Sequence, residues 1–138
     1  MAPADKKLDS NYGYDAMRIP FNLALDWNWF QDARAQSTLQ SLGFLKGQWE
    51  GSHNLEDIYG HDGSILSANQ APAIYGGDLG YFMVADQQDA QSVYENKLKV
   101  LYSPDTNSWK QTLSYYDDNW AWFGMALYNN FAINLDKK

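Results

Sequence analysis

Residues 12–26 read YGYDAMRIPFNLALD, and the next four, WNWF, continue the same pattern to residue 30. Met17, Phe21, Ala24, Leu25 and Asn28 fall at i, i+4, i+7, i+8 and i+11, which is one side of an α-helix. Pro20 limits where that helix can begin, because a proline lacks the N–H that interior turns need and is tolerated only in the first turn. A helix over about residues 15–30 follows, with Asp15 at its N-terminus. There the carboxylate meets unpaired backbone N–H groups and the positive end of the helix dipole. Arg18, three residues on, is within reach of the same carboxylate.

The helical spacing continues outward from this stretch. Leu39, Leu42, Leu45 and Trp49 predict a second helix over about residues 32–49, with Asp32 at its N-cap and Gly43 as a local weak point. Periodicity then disappears over 51–69, where Gly51, Gly60 and the Asp62-Gly63 pair mark turns compatible with one short hairpin. A third helix is predicted over about 70–85, with Tyr75, Leu79, Phe82 and Met83 on one face. A fourth over about 87–101 presents Ala90, Val93, Tyr94, Lys97, Leu98 and Leu101, with a Glu95/Lys99 pair outside and Pro104 as its stop. After the polar loop SPDTNSW, a fifth helix over about 118–133 carries Trp120, Phe123, Leu127 and Phe131 as its buried stripe. The fold class is therefore all-α, with about five helices in two pairs and a single. Such a set closes a small bundle or forms an arc of something larger, and the aromatic stripes favour the larger assembly. Residues 1–11 are small and charged and read as a flexible lead-in.

Composition narrows the partners. A chain of 138 residues is one domain's worth, and its formal net charge of -7 without a run of Lys or Arg argues against nucleic acid and anionic membranes. No stretch reaches the ~18 apolar residues of a membrane span, and MAPADKKLDSN has no apolar segment that would make it a secretory signal. The absence of cysteine excludes disulfides, thiolate metal sites and Cys nucleophiles. Aromatic residues make up 16% of the chain, with six Trp and ten Tyr. Rings in that number either fill a core of large side chains or line a groove where they stack on sugar faces, and composition alone does not choose.

The stretch that opens this section resembles the base-bearing segment of family 8 glycoside hydrolases. That segment is characterised by Tyr-Asp-Ala, an Arg three residues after the Asp, then Pro and an apolar helix ending in Asp. The corresponding residues are Tyr14, Asp15, Ala16, Arg18, Pro20 and Asp26. The likeness continues in order through DARAQSTLQSLGFL, QAPAIYGGDLGYFMVA and YYDDNWAWFGMALYNN, and so covers residues 12 to about 130. It implies that residues 12–138 are the C-terminal portion of a catalytic domain whose whole is an (α/α)6 barrel of six helix hairpins. The implied activity is inverting hydrolysis of O-glycosidic bonds in a β-1,4-linked polysaccharide such as cellulose, without a cofactor. In that mechanism one carboxylic acid protonates the leaving oxygen and a carboxylate on the other face activates water. Residue by residue, the resemblance makes Asp15 the general base. Tyr14 and Arg18 become its orienting, sugar-contacting neighbours, and Tyr115, Tyr116 and Trp120 line the cleft. It also implies a secreted or cell-surface protein.

The departure from the family is equally specific. Its general acid is a Glu near the start of the catalytic domain, and Glu50, Glu56 and Glu95, the three glutamates present, lie in no such setting. By this reading the chain is an incomplete hydrolase, whose acid comes from an N-terminal portion supplied upstream. Without the resemblance, Asp15 is as well explained as a helix cap and Arg18 as its surface partner. Two other functions stay open: a carbohydrate-binding or remnant module without chemistry, and a helical protein-interaction domain.

Remaining candidates are weaker. His53 and His61 lie near Glu56, Asp57 and Asp62, but the spacing fits no zinc or calcium pattern, so they read as solvated loop residues. Asp117 and Asp118 read as helix-capping residues. Trp27 and Trp29 are about 200° apart around a helix, so at most one of them faces a sugar. No phosphate-binding Gly-rich loop or Ser/His/Asp order is present.

Overall fold

A computed structural model of the chain describes residues 10–136; the lead-in expected over 1–11 therefore falls, for residues 1–9, outside the described residues. The protein is mostly helical. Six α-helices are described: α1 (Arg18–Phe30), α2 (Ala33–Gln40), α3 (Phe44–Ser52), α4 (Pro72–Ala85), α5 (Gln87–Val93) and α6 (Tyr115–Tyr128). Two short antiparallel hairpins interrupt them, β1 (Ile58–Tyr59) with β2 (Ile65–Ser67), and β3 (Tyr102–Ser103) with β4 (Ser108–Trp109).

The centre of the molecule is α4. Pro72 sits in its first turn, where its missing donor is harmless, and every residue from Ala73 to Phe82 is buried. A helix buried all round must meet neighbours on all sides, and α4 packs against α1, α2, α5 and α6. Close approach is secured by glycines. A Cβ on Gly124 of α6 would stand 2.5 Å from the Gly76 carbonyl oxygen, and one on Gly80 would stand 2.5 Å from the Pro20 carbonyl of α1. Of the expected face, Tyr75, Leu79 and Phe82 are buried and Met83 is half-buried, and the other sides of the helix are buried with them, Asp78 included.

Several expectations are corrected. The second helix is two, α2 and α3, separated at 41–43, where Ser41 and Leu42 bond the carbonyls of Thr38 and Leu39 in tight three-residue turns. Asp32 does cap α2, accepting from the Arg34 amide at 2.8 Å. The fourth helix reaches Leu101 only by changing pitch, through a π turn at Tyr94–Leu98 and a 3-10 turn at Lys99–Leu101. That change removes the i,i+4 register, and Glu95 accepts from Gln91 at 3.2 Å rather than pairing with Lys99. The loop after it turns back as the β3–β4 hairpin, with Asn107 at φ 53°.

The last helix begins at Tyr115, capped by Ser114, whose Oγ accepts from the Asp117 amide at 3.1 Å. Its buried residues are Ala121, Gly124, Ala126 and Leu127; Leu127 of the expected stripe is fully buried, and Gly124 meets Gly76 of α4 where a Cβ would not fit. Trp120 packs edge-on against Phe21 of α1 with ring centres 5.4 Å apart, Phe123 is partly exposed, and Phe131 lies beyond the helix end, 77% exposed. No described helix is long and apolar enough to cross a membrane.

Candidate functional site

Tyr14, Asp15 and Arg18 enter the site through a turn that precedes α1. Gly13 and Ala16 carbonyls accept from the Met17 and Ile19 amides, each at 2.9 Å, so this turn satisfies donors that an N-cap side chain would otherwise serve. The N-cap position is Met17, without a side-chain bond. Asp15, two residues ahead of it, is not the expected helix cap. Its side chain is 95% exposed and is held by Arg18, with Nη2 3.0 Å from Oδ1.

The other wall comes from α6, about a hundred residues later. The Tyr116 hydroxyl donates to the Tyr14 carbonyl at 2.7 Å and accepts from Arg18 Nε and Nη2 at 3.4 and 3.3 Å. The rings of Tyr14 and Tyr116 meet edge to face at 5.8 Å, and the guanidinium lies 5.8 Å from the Tyr116 ring centre. Tyr14, Asp15, Arg18 and Tyr116 therefore converge on one shallow cleft, completed by Ser114 and Asp117. Tyr115 and Trp120 do not line it. Tyr115 is 86% exposed on the next helical position, and Trp120 stands behind Tyr116 with ring centres 6.4 Å apart. Of the tryptophans on α1, Trp29 is committed to structure, its indole donating to the Ala132 carbonyl at 2.8 Å.

Two more carboxylates border this cluster, and neither is free. Asp117 Oδ1 accepts from the Ala73 amide at 3.1 Å and Oδ2 from the Ser114 hydroxyl at 2.8 Å. One side chain thus serves the N-terminal turns of both α4 and α6, a wider duty than the simple cap expected. Asp118, its neighbour, accepts from the Trp109 indole. Asp57 lies under Tyr14 and is only 4% exposed. Its Oδ2 accepts from the Tyr14 hydroxyl at 3.2 Å and from Asn69 at 3.5 Å, while Oδ1 is buried without a partner. Burial first, and then the charges of Asp57 and Asp117, push the Tyr14 phenol above its ordinary value. Tyr14 stays neutral and keeps its proton for Asp57.

A third acid was hidden in the apolar stretch that makes α4. Asp78 is fully buried; Tyr12 donates to its Oδ1 at 2.5 Å and Oδ2 has no partner. Burial lifts its carboxyl from 3.8 to about 8, against the opposing pull of the Tyr12 hydrogen bond. Its sequence signal was one acid among glycines and apolar residues. His53 ends α3 in a left-handed conformation against the Trp49 ring, and His61 lies in the loop of the first hairpin.

Chemically, the cleft offers an exposed carboxylate with one oxygen held by a guanidinium and the other open to solvent, beside two phenol rings. Such a carboxylate can take a proton from water, and such rings can stack on a flat apolar face. Compared with known proteins, the chain matches no protein-family model and no curated protein.

Proposed function

We propose that this mostly helical chain is the base-bearing portion of a family 8 glycoside hydrolase domain, an arc of a larger (α/α)6 barrel. The reaction is inverting hydrolysis of a β-1,4-linked polysaccharide. The observation that carries the reading is the convergence of Tyr14, Asp15 and Arg18 with Tyr116, distant in sequence, around one exposed carboxylate. In the reaction Asp15 removes a proton from the water that attacks the anomeric carbon, and Arg18 keeps that carboxylate oriented. Tyr14 and Tyr116 receive the sugar at the cleavage point.

The general acid belongs on the opposite side of the sugar, about 6.5–9.5 Å from the base. Asp117 has both oxygens engaged and Asp57 is enclosed beneath Tyr14. The acid is therefore assigned to an N-terminal portion supplied upstream. The engagement of these carboxylates also favours a second reading, a glycan-binding module that keeps the cleft wall without the chemistry.

Both readings meet in one experiment. The chain is assayed for binding of cellohexaose, and for release of reducing ends from a soluble β-1,4-glucan alone and with an acid-bearing N-terminal portion of a family 8 enzyme. The expected result is binding by the chain alone, and hydrolysis only in the mixture, abolished by Asp15→Asn. Binding without hydrolysis in the mixture supports the module. Hydrolysis that survives Asp15→Asn, or the absence of any glycan binding, overturns the proposal.

A further inference from the structure

A second groove lies on the far side of α6 from Tyr116, between that helix and the β3–β4 hairpin. It has a volume of about 570 Å³ and is walled by Tyr94, Tyr102, Trp109 and Trp122, with Lys99 and Lys110 among its lining residues. Trp122 is 59% exposed. Residues six apart on a helix are separated by about 120° around its axis, and Trp122 does not line the cleft that Tyr116 lines. The groove is independent of the proposed hydrolytic site.

Three observations point to a ligand and to its charge. The first is the distribution of cations in a chain where acids outnumber bases by 17 to 10. Among the described residues Arg18, Arg34 and Lys46 each pair with a carboxylate, and Lys97 is held by Asn54 and Gln70. Lys99 and Lys110 have no carboxylate partner among the described residues, and both stand at this groove. Two unpaired ammonium groups on an acidic protein complement an anion, and no acid lines the groove.

The second observation is the backbone. The π turn at Tyr94–Leu98 starts at one wall residue and ends immediately before Lys99. An α-helix continued through this segment would turn Lys99 to another face. π turns are rare and are frequent at functional sites. The Lys110 amide bonds the Leu101 carbonyl at 2.8 Å, which returns the second lysine to the segment that follows Lys99, and both line the groove.

The third is how the rings are held. Trp109 is fixed through its indole by Asp118, Tyr102 by Asn107, and Tyr94 accepts from Asn129 at 3.1 Å while stacking on Tyr128 at 4.2 Å. Their polar atoms are engaged with protein partners, so what remains for a ligand is apolar surface. Pre-formed apolar walls with a few convergent charged groups are the usual make-up of a small-molecule site, and the volume suits one.

We infer that this groove binds a small aromatic carboxylate, its rings against Trp109 and Trp122 and its carboxylate between Lys99 and Lys110. The test is calorimetric titration of the full chain with naphthoate and with its neutral analogue naphthamide. Naphthoate is expected to bind about tenfold tighter or more, the difference that charge-assisted bonds to lysine supply. Lys99→Ala/Lys110→Ala removes that preference and leaves naphthamide binding unchanged, and Trp122→Ala weakens both. All three side chains are exposed, and circular dichroism checks that the variants remain folded. Equal affinity for the two probes, no binding of either, a preference that survives in the double lysine variant, or an unaffected Trp122→Ala would each overturn the inference.

Discussion

At the scale of single residues, the acids divide by where the backbone puts them. Asp15 is exposed and held by one guanidinium, the Asp117 carboxylate accepts from the Ala73 amide of α4 and the Ser114 hydroxyl that caps α6, and Asp78 is sealed inside α4. Asp78 has the largest consequence for stability. Its folded value of about 8 lies above the 3.8 of an unhindered carboxyl, so between those values the folded protein keeps a proton that the unfolded chain has released. The stabilisation is fully present below about pH 4 and is lost as pH rises through about 8, a change on the order of a few kcal/mol. We expect the melting temperature to fall between about pH 5 and pH 8 in the wild type. In Asp78→Asn that slope should flatten, because the amide keeps an acceptor for Tyr12 and carries no charge. Parallel curves for the two proteins would exclude the buried proton. In the sequence Asp78 is a single acid in an apolar run, a signal that apolar spacing passes over. Asp57 reads there as a loop acid, since only the fold of a hairpin 43 residues later brings it under Tyr14.

At the scale of elements, helix positions were legible wherever apolar spacing was regular, and their ends and breaks were not. Leu39, Leu42 and Leu45 recur every three residues, a spacing that both a continuous helix and two helices joined by tight turns can satisfy. The apolar spacing is therefore silent about the break at 41–43, and its one signal is Gly43, the weak point that becomes the residue ahead of α3. The buried stripe of α6 keeps Leu127 of the expected four and departs from the rest for a related reason. Large aromatic residues carry the strongest pattern, yet α6 meets Gly76 of α4 at Ala121 and Gly124, because backbones touch there. This makes two kinds of helical glycine distinguishable by experiment. A methyl group at Gly76 would strike the Trp120 carbonyl, so Gly76→Ala should destabilise by ~1–3 kcal/mol or more. Gly47, inside α3, has nothing within 4 Å of an added Cβ, and Gly47→Ala should stabilise by ~0.5–1 kcal/mol by restricting the unfolded chain. Urea midpoints of the two variants should move in opposite directions. A shared direction would mean that the α4–α6 contact is not what the glycines secure.

At the scale of the whole molecule, the question is what the aromatic fraction is for. Much of it is core: Trp49, Tyr59, Tyr75, Tyr81 and Phe82 are all buried. Another part stays outside. Tyr115, Trp122 and Phe123 on α6 and Phe131 beyond it are exposed, and the aliphatic Ile19 on α1 and Ile133 and Leu135 at the end of the described chain are uncovered with them. Composition could not separate these populations, because burial of a ring depends on which helices α4 gathers around it. Uncovered apolar surface on this scale marks a surface that expects company. If the chain is an arc of a barrel, its α1 and α6 sides are where the missing helices would pack. The isolated chain should then enhance the fluorescence of an apolar dye in its native state, and sediment with a weight-average mass that rises with concentration. Ile19→Asp and Phe123→Asp, which leave both the Asp15 cleft and the lysine-rimmed groove intact, should reduce both effects together. A monodisperse monomer that binds no dye would show that these side chains need no cover, and the arc reading would lose its physical support.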